Sequence, residues 1–305
     1  MPGADNRYVY GANSYVFGKN KNDAYVLTNT TKGYGYTANV TLKAEPIRNL
    51  SLMASYTMTE SKVVSDMPGS SASSAWTNLY SVNGPDFTTP SRSRYVIPHR
   101  VIASVNWTNK SKKEGFDTHF SLFYTGSSTQ NYCYMYNGDV NGDGIKNDMM
   151  YIPADDSEIQ FKNDADRELL WNYVNNDDYL KEHKGEYAEN YAFNNPWVHQ
   201  FDLRIAQDFG IKVGGKMNKL TISLDFMNVG NLLNSKWGVD KVHGITDSYN
   251  CLKILKVEQA GTATSAPVYS FIKNDYTLGK KDVWEYDAHY NQTWKLQLGI
   301  RYTFN

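Results

Sequence analysis

Residues 294–305 read WKLQLGIRYTFN. In an extended chain Trp294, Leu296, Leu298, Ile300, Tyr302 and Phe304 share one face. Lys295, Gln297, Gly299, Arg301 and Thr303 share the other. This period of two predicts a strand with one apolar and one polar face, because successive side chains of a strand point to opposite sides. The same alternation predicts strands over 33–45, 50–58, 101–107, 116–124, 201–209 and 220–226. Weaker matches lie near 249–257 and 267–273. The expected total is nine, or ten if 24–29 stands apart from 33–45.

Connections between these segments alternate in length. Glu45–Asn49, Asn109–Gly115, Gly210–Asn218 and Glu258–Ala266 read as short turns. The segments 62–93, 127–196, 231–247 and 274–291 read as long loops. Short turns at one rim and long loops at the other is how outer-membrane barrels divide periplasmic turns from extracellular loops. If the last strand runs down to a periplasmic C-terminus, counting back through nine makes 33–45 run down as well. Residues 1–22 then lie outside the cell, as the remnant of an extracellular loop. Nine strands do not close a bacterial barrel, whose strand number is even, and open edges in hydrocarbon are costly. The expected object is therefore the C-terminal part of a larger barrel.

Composition narrows the classes. Among 305 residues, 31 are basic and 32 acidic, so a clustered basic surface for nucleic acid is not expected. Mean hydropathy is -0.58, and no apolar run approaches the 18 or so residues of a membrane helix. Alternating strands escape that test, since every second residue is polar. The 24 Tyr, 12 Phe and 7 Trp suit lipid–water interfaces, where a ring is buried and its polar tip stays wet. After Met1 the chain reads PGADNRYVYGANSY, without the basic and apolar regions of a secretory leader, although an envelope protein requires one.

Several stretches resemble a family. NPWVHQFDLRIAQDFGIKVGGKMNKLTISLDFMNVGNLLNSKWG (194–238) resembles the late barrel strands of TonB-dependent outer-membrane receptors. YVLTNTTKGYGYTANVTLKA and LSLMASYTMTES, within 25–61, resemble the strand–turn–strand unit of the same receptors. The segment from SLFYTGSSTQNY to NGDVNGDGIKNDMMYIP (121–153) is similar to receptors of the Bacteroidota type, including the Oar-like group. The resemblance spans residues 23–305. It implies an all-β fold: an antiparallel transmembrane β-barrel segment of about 9–10 strands, the C-terminal portion of a 22-stranded barrel. It further implies import of a bulky nutrient, such as a siderophore, glycan, peptide or cobalamin-like molecule. The implied partners are outer-membrane lipid, the rest of the barrel with its plug, the TonB–ExbB–ExbD complex, and the barrel assembly machinery reading the last strand. Plug and TonB box have no counterpart in these residues. A complete small barrel acting as adhesin, pore or enzyme, and a soluble β-sandwich binding module, are the competing readings.

The sharpest local motif is DVNGDGIKND, 139–148. Asp139, Asn141 and Asp143 at positions 1, 3 and 5, Gly144 at 6, and the Ile145 carbonyl at 7 match the front half of a calcium loop. Asp148 stands in for the closing Glu, since position 12 is Met150. The plain alternative is a solvated Asn/Asp/Gly turn. Leu169, Leu170, Tyr173, Tyr179 and Leu180 fall at helical spacing within 164–183, either packing the loop onto itself or forming a lid. Catalytic signatures are missing, and an enzyme is not expected. His119 with Asp117, Asp202 and Asp225 reads as polar-face lining, with a rim catalytic group as the lesser alternative. Cys133 and Cys251 are expected three strands apart, beyond the reach of a disulfide.

Overall fold

The computed structural model describes the chain except for residues 12–24, 27, 68, 88, 248–249 and 305. In chain order its main strands are Tyr34–Ile47 (β1), Leu50–Val63 (β2), His99–Asn109 (β3), Thr118–Ser127 (β4), Asn131–Asn137 (β5) and Gln160–Phe161 (β6). Phe193–Asn194 (β7), Val198–Val213 (β8), Lys216–Met227 (β9), Cys251–Gln259 (β10), Val268–Phe271 (β11) and Lys295–Thr303 (β12) follow. The described helices are short; the longest is Asp164–Asn176 (α1), and Asp178–Glu182 (α2) comes next after it in the chain. No described helix is long and apolar enough to cross a membrane.

Seven long strands form one antiparallel sheet in the order β1-β2-β3-β4-β8-β9-β12. Ser91–Arg92 adds a short piece beside the end of β2. The register joins Ala44, Leu52, Val105, Leu122, Leu203, Phe226 and Leu296 in one apolar row across all seven. On the opposite face Ser51, Asn106, Ser121, Arg204, Asp225 and Gln297 form a polar row. A slip of one residue anywhere would flip a strand's apolar set to the polar side, so the alternation itself pins the register.

Turns at 48–49, 110–117 and 214–215 connect the long strands at one rim. The β8–β9 turn is tighter than the Gly210–Asn218 expected from sequence. Gly214 and Gly215 have φ of +59° and +82°, the two-residue turn whose twist suits a hairpin. Since neighbours are antiparallel, the segments 64–98, 128–197 and 228–294 all leave the opposite rim.

Those three segments build a second lobe, here called the cap. Its five-stranded sheet runs β7-β5-β10-β11-β6. The β5–β10 and β11–β6 pairs are parallel. This corrects the strand count. β10 and β11, the weak matches near 249–257 and 267–273, do not join the long sheet. Cys251, Leu252, Ile254 and Leu255 are all buried, so β10 is covered on both faces and alternation is the wrong template for it. Glu258–Ala266 is accordingly a turn inside the cap and not at the rim of the long sheet. Among the described residues the long-strand count is seven, still odd, so β1 and β12 run in the same direction. The extra strand considered at 24–29 falls partly outside the described residues, and its described positions are not strand.

The hydrophobic core lies in the cap. Tyr132, Tyr134 and Tyr136 from β5, Leu252 and Leu255 from β10, Leu170 from α1, Leu180 from α2, and Ile152 form one buried cluster. α1 begins where Asn163 caps the Asp166 amide, and it turns Leu170, Tyr173 and Val174 inward. The helical stretch thus packs its loop onto itself.

Candidate functional site

Both faces of the long sheet have exposed residues, but large apolar side chains are exposed on one face and polar side chains are buried at several points of the other. Leu42, Leu298 and Ile300 on its apolar face are 70%, 62% and 69% exposed. Ser55, Asp208 and Ser223 on its polar face are 7%, 3% and 4% exposed. Polar side chains crowd and bond one another there. Asp208 accepts from Thr221 Oγ1 at 2.6 Å and faces Lys219 Nζ at 3.2 Å and His119 Nε2 at 3.0 Å. Arg204 donates to Asp225 at 2.9 Å, and Asn39 donates to Ser55 and Thr57 at 2.8 Å each. A protein in water folds the other way, with apolar residues inside. An apolar depression of about 550 Å³ between Ala103, Val105, Leu122, Tyr124 and Phe201 lies on the exposed face.

The His119 group does not assemble as a catalytic set. His119 meets Asp208 and Thr108, Asp117 pairs with Lys110, Asp225 with Arg204, and Asp202 accepts the Asn228 amide. His119 and Asp225 are held by cross-strand neighbours, as a lining would be, whereas Asp117 pairs within its own turn and Asp202 with a backbone amide just beyond β9.

In the cap, the 139–148 segment is a ladder of side chain–backbone turns. Asp139 Oδ1 accepts from the Gly142 amide at 2.7 Å, and its Oδ2 from Gly144 at 2.8 Å. Asn141 accepts from the Asp143 amide and Asp143 from Ile145. Gly142 and Gly144, with φ of +81° and +85°, supply the left-handed backbone that the ladder needs. Asp148 is turned inward instead. It accepts from the Val140 amide at 2.9 Å and from Arg7 Nη1 at 3.3 Å. The structure therefore gathers Asp139, Asn141, Asp143 and Ile145 into one turn and gives Asp148 a different partner. Among the described residues, no group of three or more His, Cys, Asp or Glu is placed to hold a metal ion.

Arg7 is the residue that sequence reasoning missed. Its guanidinium is fully buried, bonded to Asp5, Asp148 and the Met149 carbonyl. It also lies over the rings of Tyr136 and Tyr187. Burial works against its charge, but the Asp5 carboxylate together with Tyr136 and Tyr269 outweighs that and raises Arg7 above its ordinary value. Burial pushes the Asp148 carboxyl up to about 7, against the pull of Arg7. Residues 5–10 are thereby stitched over the acidic turn, with the Tyr10 amide donating to the Asn141 carbonyl at 2.8 Å. Beside them a hollow of about 430 Å³ opens between Asp5, Tyr136, Tyr151, Glu158, Thr264 and Tyr269. Asp5 Oδ2 is buried without a hydrogen-bond partner.

The two cysteines correct the sequence reading. Cys133 and Cys251 stand directly opposite one another on the adjacent parallel strands β5 and β10, not three strands apart. Their sulfurs are 3.9 Å apart, and both residues are buried. A signal for this was present. NYCYMYN, 131–137, is apolar on both faces, which marks a strand buried on both sides. Which strand lies beside it is a tertiary fact. Comparison of the chain with family models, curated proteins and solved structures finds no match.

Proposed function

We propose that the seven-stranded sheet is part of the wall of a bacterial outer-membrane β-barrel, and that the cap closes over its outward rim. The observation that carries this reading is the exposed apolar face of the sheet. That face is open, and the opposite face carries hydrogen-bonded polar side chains, some of them buried, as a wall between lipid and an aqueous lumen would. Two further features support it. The long connections all leave one rim, and Trp197, Trp237, Tyr286, Tyr290 and Trp294 are exposed on the segments nearest that rim, where an interfacial belt would lie.

Among the described residues, the edges of β1 and β12 are unpaired in the sheet. In hydrocarbon each bare backbone group costs several kcal/mol, so a wall requires further strands on both sides. Together with the resemblance of 194–238 and 25–61 to TonB-dependent receptors, this favours a portion of a large barrel that imports a bulky nutrient. Energy would come through TonB–ExbB–ExbD acting on a plug, and the aromatic end of β12 would engage the assembly machinery. A β-sandwich binding module fits less well, because nothing in the described residues covers the apolar face.

A pair of neighbours on β12 tests the wall. Leu298 faces the apolar side and Gln297 the polar side. Leu298→Arg is expected to cost about 2–4 kcal/mol in bilayer-folded protein, and Gln297→Arg close to nothing. If the chain instead folds in water with this face uncovered, both sites are surface, and both changes would stay within about 0.5 kcal/mol. Urea titration of the vesicle-folded variants distinguishes the two, and equal small effects would remove the barrel.

A further inference from the structure

We propose that Cys133 and Cys251 form a disulfide in the folded protein, a covalent bridge that locks the cap into one body. The cysteines are 118 positions apart, and each belongs to a different long connection, 128–197 and 228–294. They meet because β5 and β10 pair in parallel with these two residues in direct register. Neighbouring strands are about 4.7–4.9 Å apart, which falls inside the Cα separation of roughly 4.4–6.8 Å that disulfides use. The sulfurs already face each other at 3.9 Å. Bridging needs them to close to about 2.05 Å, a rotation of the side chains without a shift of the strands.

The third connection reaches the same point. Tyr80, from 64–98, has its hydroxyl in contact with the Cys251 thiol, and its ring packs 6.1 Å from that of Tyr191. The bridge would thus sit where all three connections of the cap meet. Burial at 0% and 1% exposure leaves no path for a substrate to these thiols in the folded protein, and among the described residues no third His, Cys, Asp or Glu joins them to hold a metal ion. Burial also times the reaction. The oxidant must act before the cap packs, and a formed bridge is sealed from reductants afterwards.

The step is thiol–disulfide exchange with a disulfide-bearing oxidant. One cysteine thiolate attacks the oxidant's disulfide, forming a mixed disulfide and releasing one oxidant thiolate. The second cysteine thiolate attacks the mixed disulfide at the protein sulfur, forming the Cys133–Cys251 bond and releasing the other. The two cysteine protons pass to the released thiolates, the protein sulfurs are oxidised, and the oxidant is reduced to two thiols. Formation in cells rests on the outer-membrane reading, since only an oxidising compartment supplies such an oxidant.

The full chain is folded in detergent micelles with oxidised and reduced glutathione, and separately with excess reductant. Each sample is then denatured with N-ethylmaleimide and weighed intact. The bridged protein takes up no label and the reduced protein takes up two, matching its two cysteines. A peptide joining the two residues is expected in the first digest. The half-life of the cap under protease is expected to lengthen at least tenfold in the bridged form. Cys133→Ser combined with Cys251→Ser is expected to fold with unchanged circular dichroism and to show the short half-life in both buffers. Two labels after oxidative folding, or equal protease half-lives with and without the bridge, overturns the proposal. A bridge formed in micelles but absent from cells upholds the bridge and counts against the outer-membrane location instead.

Discussion

At the scale of single residues, the cap depends on a few buried polar groups. Arg7 serves two carboxylates and a carbonyl with no exposure to water. Removing one partner of such a set leaves charge buried without compensation. Arg7→Ala is therefore expected to cost about 3–5 kcal/mol of cap stability. Thermal unfolding followed by near-UV dichroism of the cap tyrosines reads this, and a loss below about 1 kcal/mol would show the triad to be dispensable. His243 gives a pH dependence. Burial holds its imidazole down to about 4, and its ring stands edge-on to Trp284 at 5.0 Å. The unfolded ring takes a proton near its ordinary value of about 6.5. Protonation between those two values therefore favours unfolding. Stability is full above about pH 6.5 and falls as pH drops toward 4, by at most about 3 kcal/mol. Asp148 acts in the opposite sense, since its raised value favours the folded state as pH falls below about 7. His243→Phe isolates the first effect. The wild-type stability minus that of the variant, measured by denaturant midpoint, is expected to shrink between pH 7 and pH 4.5. A constant difference would show that His243 does not titrate in this way.

At the scale of elements, the hairpins at the short-turn rim carry different tolerances. Gly214 occupies the first position of a turn that asparagine–glycine pairs favour, with open space around it. Gly214→Asn is expected to leave stability within about 0.5 kcal/mol. Gly210 lies inside β8, where the sequence suggested a turn. A Cβ there would stand 2.9 Å from the Glu114 carbonyl oxygen and 3.1 Å from Gly115 Cα. These are backbone atoms of one turn and cannot swing away as a side-chain end could. Gly210→Ala is therefore expected to cost about 1–3 kcal/mol. Urea titration of the two variants side by side checks the contrast, and the reverse order would mean that the 110–117 turn does not press on β8.

At the scale of the molecule, two lobes follow opposite rules. The cap buries apolar side chains and the long sheet displays them, which on the proposed reading suits one lobe to water and the other to lipid. Sidedness follows from the antiparallel order. Lys181 and Lys184 lie in the cap connection 128–197, and Lys112 and Lys113 in the opposite turn 110–117. A membrane-impermeant amine reagent applied to intact cells is expected to modify Lys181 and Lys184 and to spare Lys112 and Lys113. The converse pattern would invert the proposed orientation.

The alternation in 33–45, 50–58, 101–107, 116–124, 201–209, 220–226 and 294–304 by itself determined the seven long strands and their two faces. Side-chain direction along a strand is a local property with a period of two, so it can be read without knowing any neighbour. The same holds for the tight backbone at 139–145, read as a calcium loop or a plain turn, and for the helix within 164–183, which rest on contacts only a few residues apart. Only the tertiary structure decided that β10 and β11 leave the long sheet, that Cys133 meets Cys251, and that Arg7 reaches Asp148. Those pairs lie 118 and 141 positions apart. A strand buried on both faces has no alternation to betray its neighbour, and a buried charge is tolerated only where a distant partner completes it. Such partners are chosen by packing of the whole cap, which no local pattern encodes.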